Sequence, residues 1–227
     1  MEGLGNYQNV ESKEELKRMN EDEHITHYWK SIQKESNETL GNLLGLNLVI
    51  HNSAQFNDVA KLLNKIRKDE PSKVLYFSLT TSYDHIKKGM NQDSLGKKQL
   101  HVVDMVSGFL LEIQDNIDCV FRKPPKTLAE MKIMMMKNID RVKPDIVCVD
   151  SLSQFMNFTK PSDQDLQQLY QFLGSLKESI MGSNVKTIIL LYDEKKGPMK
   201  KLPLIFTDLI IKMEVIKPVN PFVKQFS

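Results

Sequence analysis

Cysteine, tryptophan and long apolar runs are scarce in this chain. Its 227 residues include two cysteines and one tryptophan. Cys119 and Cys148 each lie inside a short apolar run, which indicates small core residues of a reduced protein rather than a disulfide. No histidine lies near either of them, and His24 and His27 have no further ligand nearby. We therefore expect no metal site.

A strong charge of one sign is also missing. The 31 Lys and Arg residues nearly balance the 29 Asp and Glu residues, and the net charge is +2. Composition alone therefore gives no case for binding nucleic acid or an anionic membrane. No apolar run approaches the roughly 20 residues that span a bilayer, and the segment 1–20 is polar. We expect a cytoplasmic protein with no membrane partner.

What the chain does contain is an alternation of short apolar runs with amphipathic segments. Residues 1–40 read as a polar helical N-terminal arm, 41–217 as the main domain and 218–227 as a tail. The expected strands are Leu46–His51, Val74–Leu79, Leu100–Asp104, Asp118–Phe121, Ile146–Asp150, Val185–Tyr192 and Leu209–Ile216. Several are apolar on both faces, which predicts an α/β three-layer sandwich around a mainly parallel sheet.

Helices are expected between these strands. Two of them are opened by cap signals, Ser82 for a helix to about Met90 and Thr127 with Glu130 for a helix to about Val142. The other expected helices are Asn57–Lys68, a buried segment Met105–Ile113, and a long helix from Ser162 or Asp163 to about Gly182. The arm is expected to form short helices near Glu14–Met19 and His24–Trp29.

Several of these strands resemble the KaiC-like branch of the RecA superfamily of P-loop ATPases. The most specific resemblance is that of 143–152, KPDIVCVDSL, to the Walker B strand of that family. The segments 74–82, 100–104, 185–193 and 206–214 resemble other core strands. The resemblance implies a sheet order of 3-2-4-5-1, counting Ile146–Asp150 as strand 4 and Val185–Tyr192 as strand 5. It also implies a phosphate-binding loop after strand 1.

The chemistry of that loop is missing from the sequence. A triphosphate site needs inward-pointing glycine amides, a lysine, and a hydroxyl on Mg²⁺. Residues 51–59 contain no glycine and no lysine, and Asn57 and Asp58 stand near the expected Lys and Thr positions. Thr80 and Thr81 replace the acidic pair that the family uses. We therefore predict a degenerate Walker A, a pseudo-ATPase with no catalytic residues, and no cofactor.

Polar residues nevertheless gather at the predicted carboxyl ends of the strands, where ligands bind in such sheets. They form a possible ligand-site remnant: His51, Asn52, Ser53, Thr80, Thr81, Asp150 and Ser151. This set lines either a small crevice or a surface loop shortened after its ligand was lost. Asp150 itself is either a relic metal contact or a cap of the following turn, and the capping interpretation is favoured.

A lysine-rich turn follows the fifth strand, with Lys195, Lys196, Lys200 and Lys201. These side chains could contact nucleic-acid phosphates or a neighbouring subunit. No aromatic residue accompanies them for base stacking, and charged turns are usually only solvated.

Our leading hypothesis is a non-catalytic RecA/KaiC-like regulatory or assembly subunit that acts through protein–protein contacts. The resemblance implies another copy of itself or a related RecA-family ATPase as partner. Three alternatives stay open: a nucleic-acid-binding accessory protein that uses the lysine turn, a small-molecule sensor that binds at the strand ends, and, least favoured, an active ATPase with an unusual site.

Overall fold

The computed structural model describes residues 35, 37–52, 54–68, 70–90, 95–110, 113–155, 162–196 and 206–214. The chain divides into two compact units, Met1–Asn42 and Leu43–Ser227. In the first unit the described residues 37–41 are helical, and the Thr39 hydroxyl donates to the Glu35 carbonyl at 2.9 Å. The helices predicted near 14–19 and 24–29 lie outside the described residues. The predicted domain boundaries at 40 and 217 stay a prediction.

In the described part of the second unit, seven strands form one sheet in which every pairing is parallel. The strands are β1 (Gly45–His51), β2 (Lys73–Ser78), β3 (Gln99–Asp104), β4 (Cys119–Phe121), β5 (Ile146–Asp150), β6 (Thr187–Asp193) and β7 (Leu209–Met213). Their order is β4-β3-β2-β5-β6-β1-β7. The central five strands have the order β3-β2-β5-β6-β1. Since β5 and β6 are strands 4 and 5 of the order that the sequence resemblance implied, this is the order 3-2-4-5-1, and the predicted RecA-like α/β fold is confirmed.

The helices connect successive strands as expected for parallel neighbours. They are α1 (Phe56–Lys65), α2 (Tyr83–Gly89), α3 (Ser107–Leu110), α4 (Leu128–Val142) and α5 (Asp163–Met181). Both predicted caps are present, since Ser82 Oγ accepts from the His85 amide and Thr127 Oγ1 from the Glu130 amide. No helix in the described ranges is long and apolar enough to cross a membrane.

Alternate residues of the strands pack on opposite faces of the sheet. Leu75 and Phe77 of β2 belong to a core cluster that also holds residues of α4 and α5, such as Met131 and Leu173. On the other face the Tyr76 ring meets Phe56 of α1 edge to face, with centroids 5.3 Å apart. Helices thus cover both faces of the sheet, which makes three layers. Cys119 in β4 and Cys148 in β5 are buried and not disulfide-bonded, as predicted.

One predicted helix is wrong in length and in burial. The apolar segment 105–113 was expected to form a buried helix, but in its described part the helix is Ser107–Leu110, and the buried Met105 precedes it. Phe109 in its middle is 69% exposed. The turn is fixed instead by Asp104, whose carboxylate accepts the amides of Val106 and Ser107 at 2.8 Å each. Apolar composition at an outer strand connection therefore did not indicate burial.

Candidate functional site

The candidate site is a cleft of about 460 Å³ at the carboxyl ends of the central strands. Parallel strands place their carboxyl ends at one edge, so β1, β2, β5 and β6 all contribute to it. Its lining includes His51, Thr80, Thr81, Asp150 and Ser151 from the predicted remnant. Of the other two predicted residues, Asn52 is exposed and is not part of the lining, and Ser53 lies outside the described residues.

Three backbone amides of the turn after β1 donate to acceptors within the same turn. The Ala54 amide donates to His51 Nδ1 at 3.1 Å, and the Gln55 amide donates to the Asp58 carboxylate at 3.0 Å. The Asp58 amide in turn donates to the Gln55 carbonyl at 2.9 Å. Asp58 thus caps the first turn of α1, where its negative charge offsets the helix dipole. The acceptors of these three amides therefore all lie within the turn itself.

Asp150 ends β5 and lies almost completely buried beneath the cleft. The Tyr76 hydroxyl donates to Asp150 Oδ2 at 2.5 Å, and the Thr80 hydroxyl donates to the same oxygen at 3.1 Å. Burial raises the pKa of the Asp150 carboxyl above its ordinary value, although the hydrogen bonds from Tyr76 and Thr80 and the nearby His51 oppose that rise. Burial also raises the pKa of the Tyr76 phenol well above its usual range.

Asp150 does not cap the turn that follows it. That role belongs to Ser151, whose Oγ accepts from the Ser153 amide at 3.2 Å. The Asp150–Ser151 peptide bond is cis. The favoured interpretation of Asp150 as a turn cap is therefore wrong, because its carboxylate bonds to side chains of β2 and of the turn after β2. Both contacts depend on the β2–β5 pairing, in which Ser78 lies opposite Asp150.

Several lining residues were missed at the sequence level. Gln55, Asn57, His85, Gln154 and Asp193 also face the cleft. Asp193 could have been found from the implied order, which places strand 5 between strands 4 and 1. Asp193 ends this strand, here β6, and pairs in register with His51. His85 and Gln154 stand on separate elements, and the sequence carried no signal that these elements converge.

The charge of the cleft is set by carboxylates. Asp150 and Asp193 line it, and no lysine or arginine among the described residues does so. No group of three or more His, Cys, Asp or Glu side chains in the described ranges is placed to hold a metal ion.

Little of the lysine-rich turn is described. The Lys195 amide donates to Asp193 Oδ1 at 3.0 Å, and Lys195 is exposed. Lys196 ends the short 3₁₀ turn Glu194–Lys196, whereas Lys200 and Lys201 lie outside the described residues. The proposed contact of this turn with nucleic acid or a subunit stays a prediction.

Comparisons with known proteins give limited support. No protein-family model and no curated protein matches the chain. Among solved structures, it is similar to the crystal structure of a KaiC-like protein from the hyperthermophilic archaeon Pyrococcus horikoshii OT3. The identity is 8%, the TM-score is 0.46, and the match covers 77% of this chain and 73% of that one. These values are too low to carry function, so the fold assignment rests on the sheet order.

Proposed function

We propose that this protein is a non-catalytic RecA/KaiC-like regulatory or assembly subunit that acts through protein–protein contacts. The observation that carries the proposal is the self-bonded turn after β1. In a phosphate-binding loop the amides and a lysine point at the anion. Here the amides of Ala54, Gln55 and Asp58 are bonded within the turn.

The electrostatics of the cleft support the same conclusion. A triphosphate would approach Asp150 and Asp193 with no lysine or arginine in the described lining to offset the repulsion. The negative charge of a triphosphate would be repelled by these two carboxylates, and more strongly where water is partly excluded. We therefore propose that the cleft does not bind ATP.

An isothermal titration with Mg·ATP tests this part of the proposal. We expect no heat of binding and no phosphate release, for the wild type and for Asp150→Asn alike. Micromolar, magnesium-dependent binding, or a turnover that Asp150→Asn abolishes, would contradict it.

The assembly role is supported by exposed apolar side chains at one side of the sheet. Phe109 in α3 and Ile117, which is 89% exposed, both lie in the connection from β3 to the edge strand β4. Apolar side chains grouped in one connection are typical of protein contact surfaces, although single exposed ones are not. We propose that this connection contacts a second copy of the chain or a related RecA-family ATPase.

Sedimentation velocity over a range of concentrations tests the assembly role. We expect concentration-dependent association that the double change Phe109→Ser with Ile117→Ser weakens by about tenfold or more. Ile133→Ser is the matched control, because Ile133 is similarly exposed but lies on α4. A second arm adds a candidate RecA-family ATPase from the same cell. Monomers at every concentration, together with no binding to that ATPase, would contradict the assembly role.

A further inference from the structure

One side chain in the cleft has a buried polar atom without a hydrogen-bond partner in the described part of the chain. His51 is 4% exposed and forms part of the cleft wall. Its Nδ1 accepts the Ala54 amide, so the proton of the neutral ring must be on Nε2. That Nε2–H is buried and has no hydrogen-bond partner among the residues that the structure describes. An unsatisfied buried donor lowers the stability of the folded protein, and an acceptor from a ligand would offset that cost.

An acceptor with spare capacity lies on the same side of the sheet. Both side-chain donors to Asp150 reach Oδ2, and Oδ1 accepts no hydrogen bond from the described residues. β6 lies between β5 and β1, and the register places Asp150 level with Val49, two residues before His51. Two strand spacings and this two-residue offset put the Asp150 and His51 backbones roughly 12 Å apart. Asp193, at the end of β6, faces the gap between them.

We propose that this cleft binds an uncharged, hydroxyl-rich small molecule, with one ligand oxygen accepting from His51 Nε2–H and one ligand hydroxyl donating to Asp150. A hydroxyl group both donates and accepts, so it satisfies both kinds of partner. The side-chain amides of Gln55, Asn57 and Gln154 also line the cleft, and each can both donate and accept hydrogen bonds. The volume of about 460 Å³ is in the range of ordinary small-molecule sites. Because His51 Nε2 is buried, binding requires side chains of the cleft lining to move.

Three other ligand classes fit the same residues less well. An anion meets the Asp150 and Asp193 carboxylates. A metal ion on His51 would need the lone pair of Nε2, which requires the proton on Nδ1, where it would clash with the Ala54 amide hydrogen. An ammonium ion carries no acceptor and would leave the Nε2–H unpaired.

Pairs of compounds that differ only by a phosphoryl group test the proposal directly. The probes are D-glucose with D-glucose 6-phosphate, and myo-inositol with its monophosphate. The readout is the side-chain nitrogen spectrum of histidine-labelled full-length protein, which has five histidines. We expect at least one neutral compound to shift the His51 Nε2–H signal and slow its exchange with water. Its phosphorylated partner should bind about tenfold more weakly or worse.

Variants locate the effect within the cleft. In Asp150→Asn the amide oxygen keeps the Tyr76 and Thr80 hydroxyl donors, and the NH2 group takes the place of Oδ1. The ligand hydroxyl then meets a donor instead of an acceptor, and we expect binding of the neutral compound to weaken about tenfold. His51→Phe should abolish binding, and circular dichroism shows whether that variant folds. His101→Gln is the control, since His101 lies on β3 outside the lining. The proposal is overturned if neither neutral compound moves the His51 signal, if a phosphorylated partner binds more tightly, or if Asp150→Asn leaves affinity unchanged in a folded protein.

Discussion

Two aspartates flank the same residue of β2, and their carboxylates accept hydrogen bonds from different kinds of donor. Ser78 pairs with Asp104 on one side and with Asp150 on the other. Asp104 accepts three backbone amides, from Tyr83 at 2.7 Å and from Val106 and Ser107 at 2.8 Å each. Among the described residues, the Asp150 carboxylate accepts from two side-chain hydroxyls and no backbone amide, and both hydroxyls reach Oδ2.

The donors to Asp104 are backbone amides, whereas the donors to Asp150 are side-chain hydroxyls. Backbone donors tie Asp104 to the path of the chain, so it holds the turns after β2 and β3 in place. Side-chain donors leave the backbone around Asp150 independent of its carboxylate, and one oxygen stays available to the cleft. A strand-end aspartate is therefore a structural clamp or a site residue according to its donors, which its position in a motif does not reveal.

Asp104→Asn should break the clamp and give the largest effect. The new amide group would face the Tyr83 amide donor to donor, and one buried N–H would lose its acceptor. We expect the free energy of unfolding to fall by about 3 kcal/mol, measured by urea denaturation. Asp150→Asn is the matched comparison, with an expected loss of no more than about 1 kcal/mol, because the amide oxygen can keep the Tyr76 and Thr80 hydroxyl donors. Equal losses would show that the two carboxylates do not differ in role.

Much of the fold could be predicted from the sequence because parallel strands buried on both faces are continuous apolar runs. Ile146–Asp150 is predicted with the bounds that the structure has, and β1, β2 and β3 to within one residue. The failure is the segment 105–113, where apolar composition indicated burial. The Asp104 clamp and Gly108 shape that turn, and neither makes a periodic pattern.

The site could be predicted only in part. His51, Thr80 and Asp150 line the cleft because each follows or ends a predicted strand. The role of Tyr76 could not be predicted, since it lies within an apolar strand and its partner Asp150 is 74 residues away. Only the register of β2 against β5 brings them together. The state of the turn after β1 was equally hidden, because composition shows which groups are missing but not where the amides point.

Gly108→Ala tests how tightly the Asp104 side is packed. A Cβ at Gly108 would lie 2.4 Å from the carbonyl oxygen of Arg122 and 2.7 Å from its backbone nitrogen. Since the backbone must shift, we expect a loss of about 2 kcal/mol in urea denaturation. Gly89→Ala on the cleft side is the comparison, where a Cβ would meet only the movable Asn57 side chain at 3.2 Å. A change within about 0.5 kcal/mol is expected there. The comparison fails if both variants lose the same stability.

Tyr76→Phe removes the shorter bond to Asp150, with an expected loss of about 1 kcal/mol near pH 7. Because burial raises the pKa of Asp150, the folded protein holds that proton more tightly than the unfolded chain. The charged carboxylate therefore lowers stability above the raised pKa, and this cost disappears as pH falls through that pKa toward the unfolded value. The Tyr76 bond opposes the rise, so its loss should raise the pKa of Asp150 further.

The loss caused by Tyr76→Phe should accordingly be larger near pH 7 than near pH 4. Urea denaturation at both pH values measures the difference. In the Asp150→Asn background the pH dependence of the loss should vanish, which assigns it to this pair. A loss that is the same at both pH values in the wild-type background would show that the Tyr76 hydroxyl does not stabilise the charged form.

Thr80→Val should have the smallest effect. Its hydroxyl reaches Asp150 Oδ2 at 3.1 Å, from an exposed side chain that water can replace. We expect a loss of about 0.5 kcal/mol, because an exposed bond competes with solvent. Thr81→Val is the control, since the Thr81 hydroxyl contacts Thr80 but not Asp150. The more informative measurement is the pKa of Asp150, followed by carboxyl carbon NMR. Thr80→Val should raise this pKa and Thr81→Val should not, because Thr80, unlike Thr81, donates a hydrogen bond that stabilises the charged Asp150 carboxylate. An unchanged pKa in both variants would mean that Tyr76 alone holds the carboxylate, and that Thr80 belongs to the wall of the cleft rather than to its charge network.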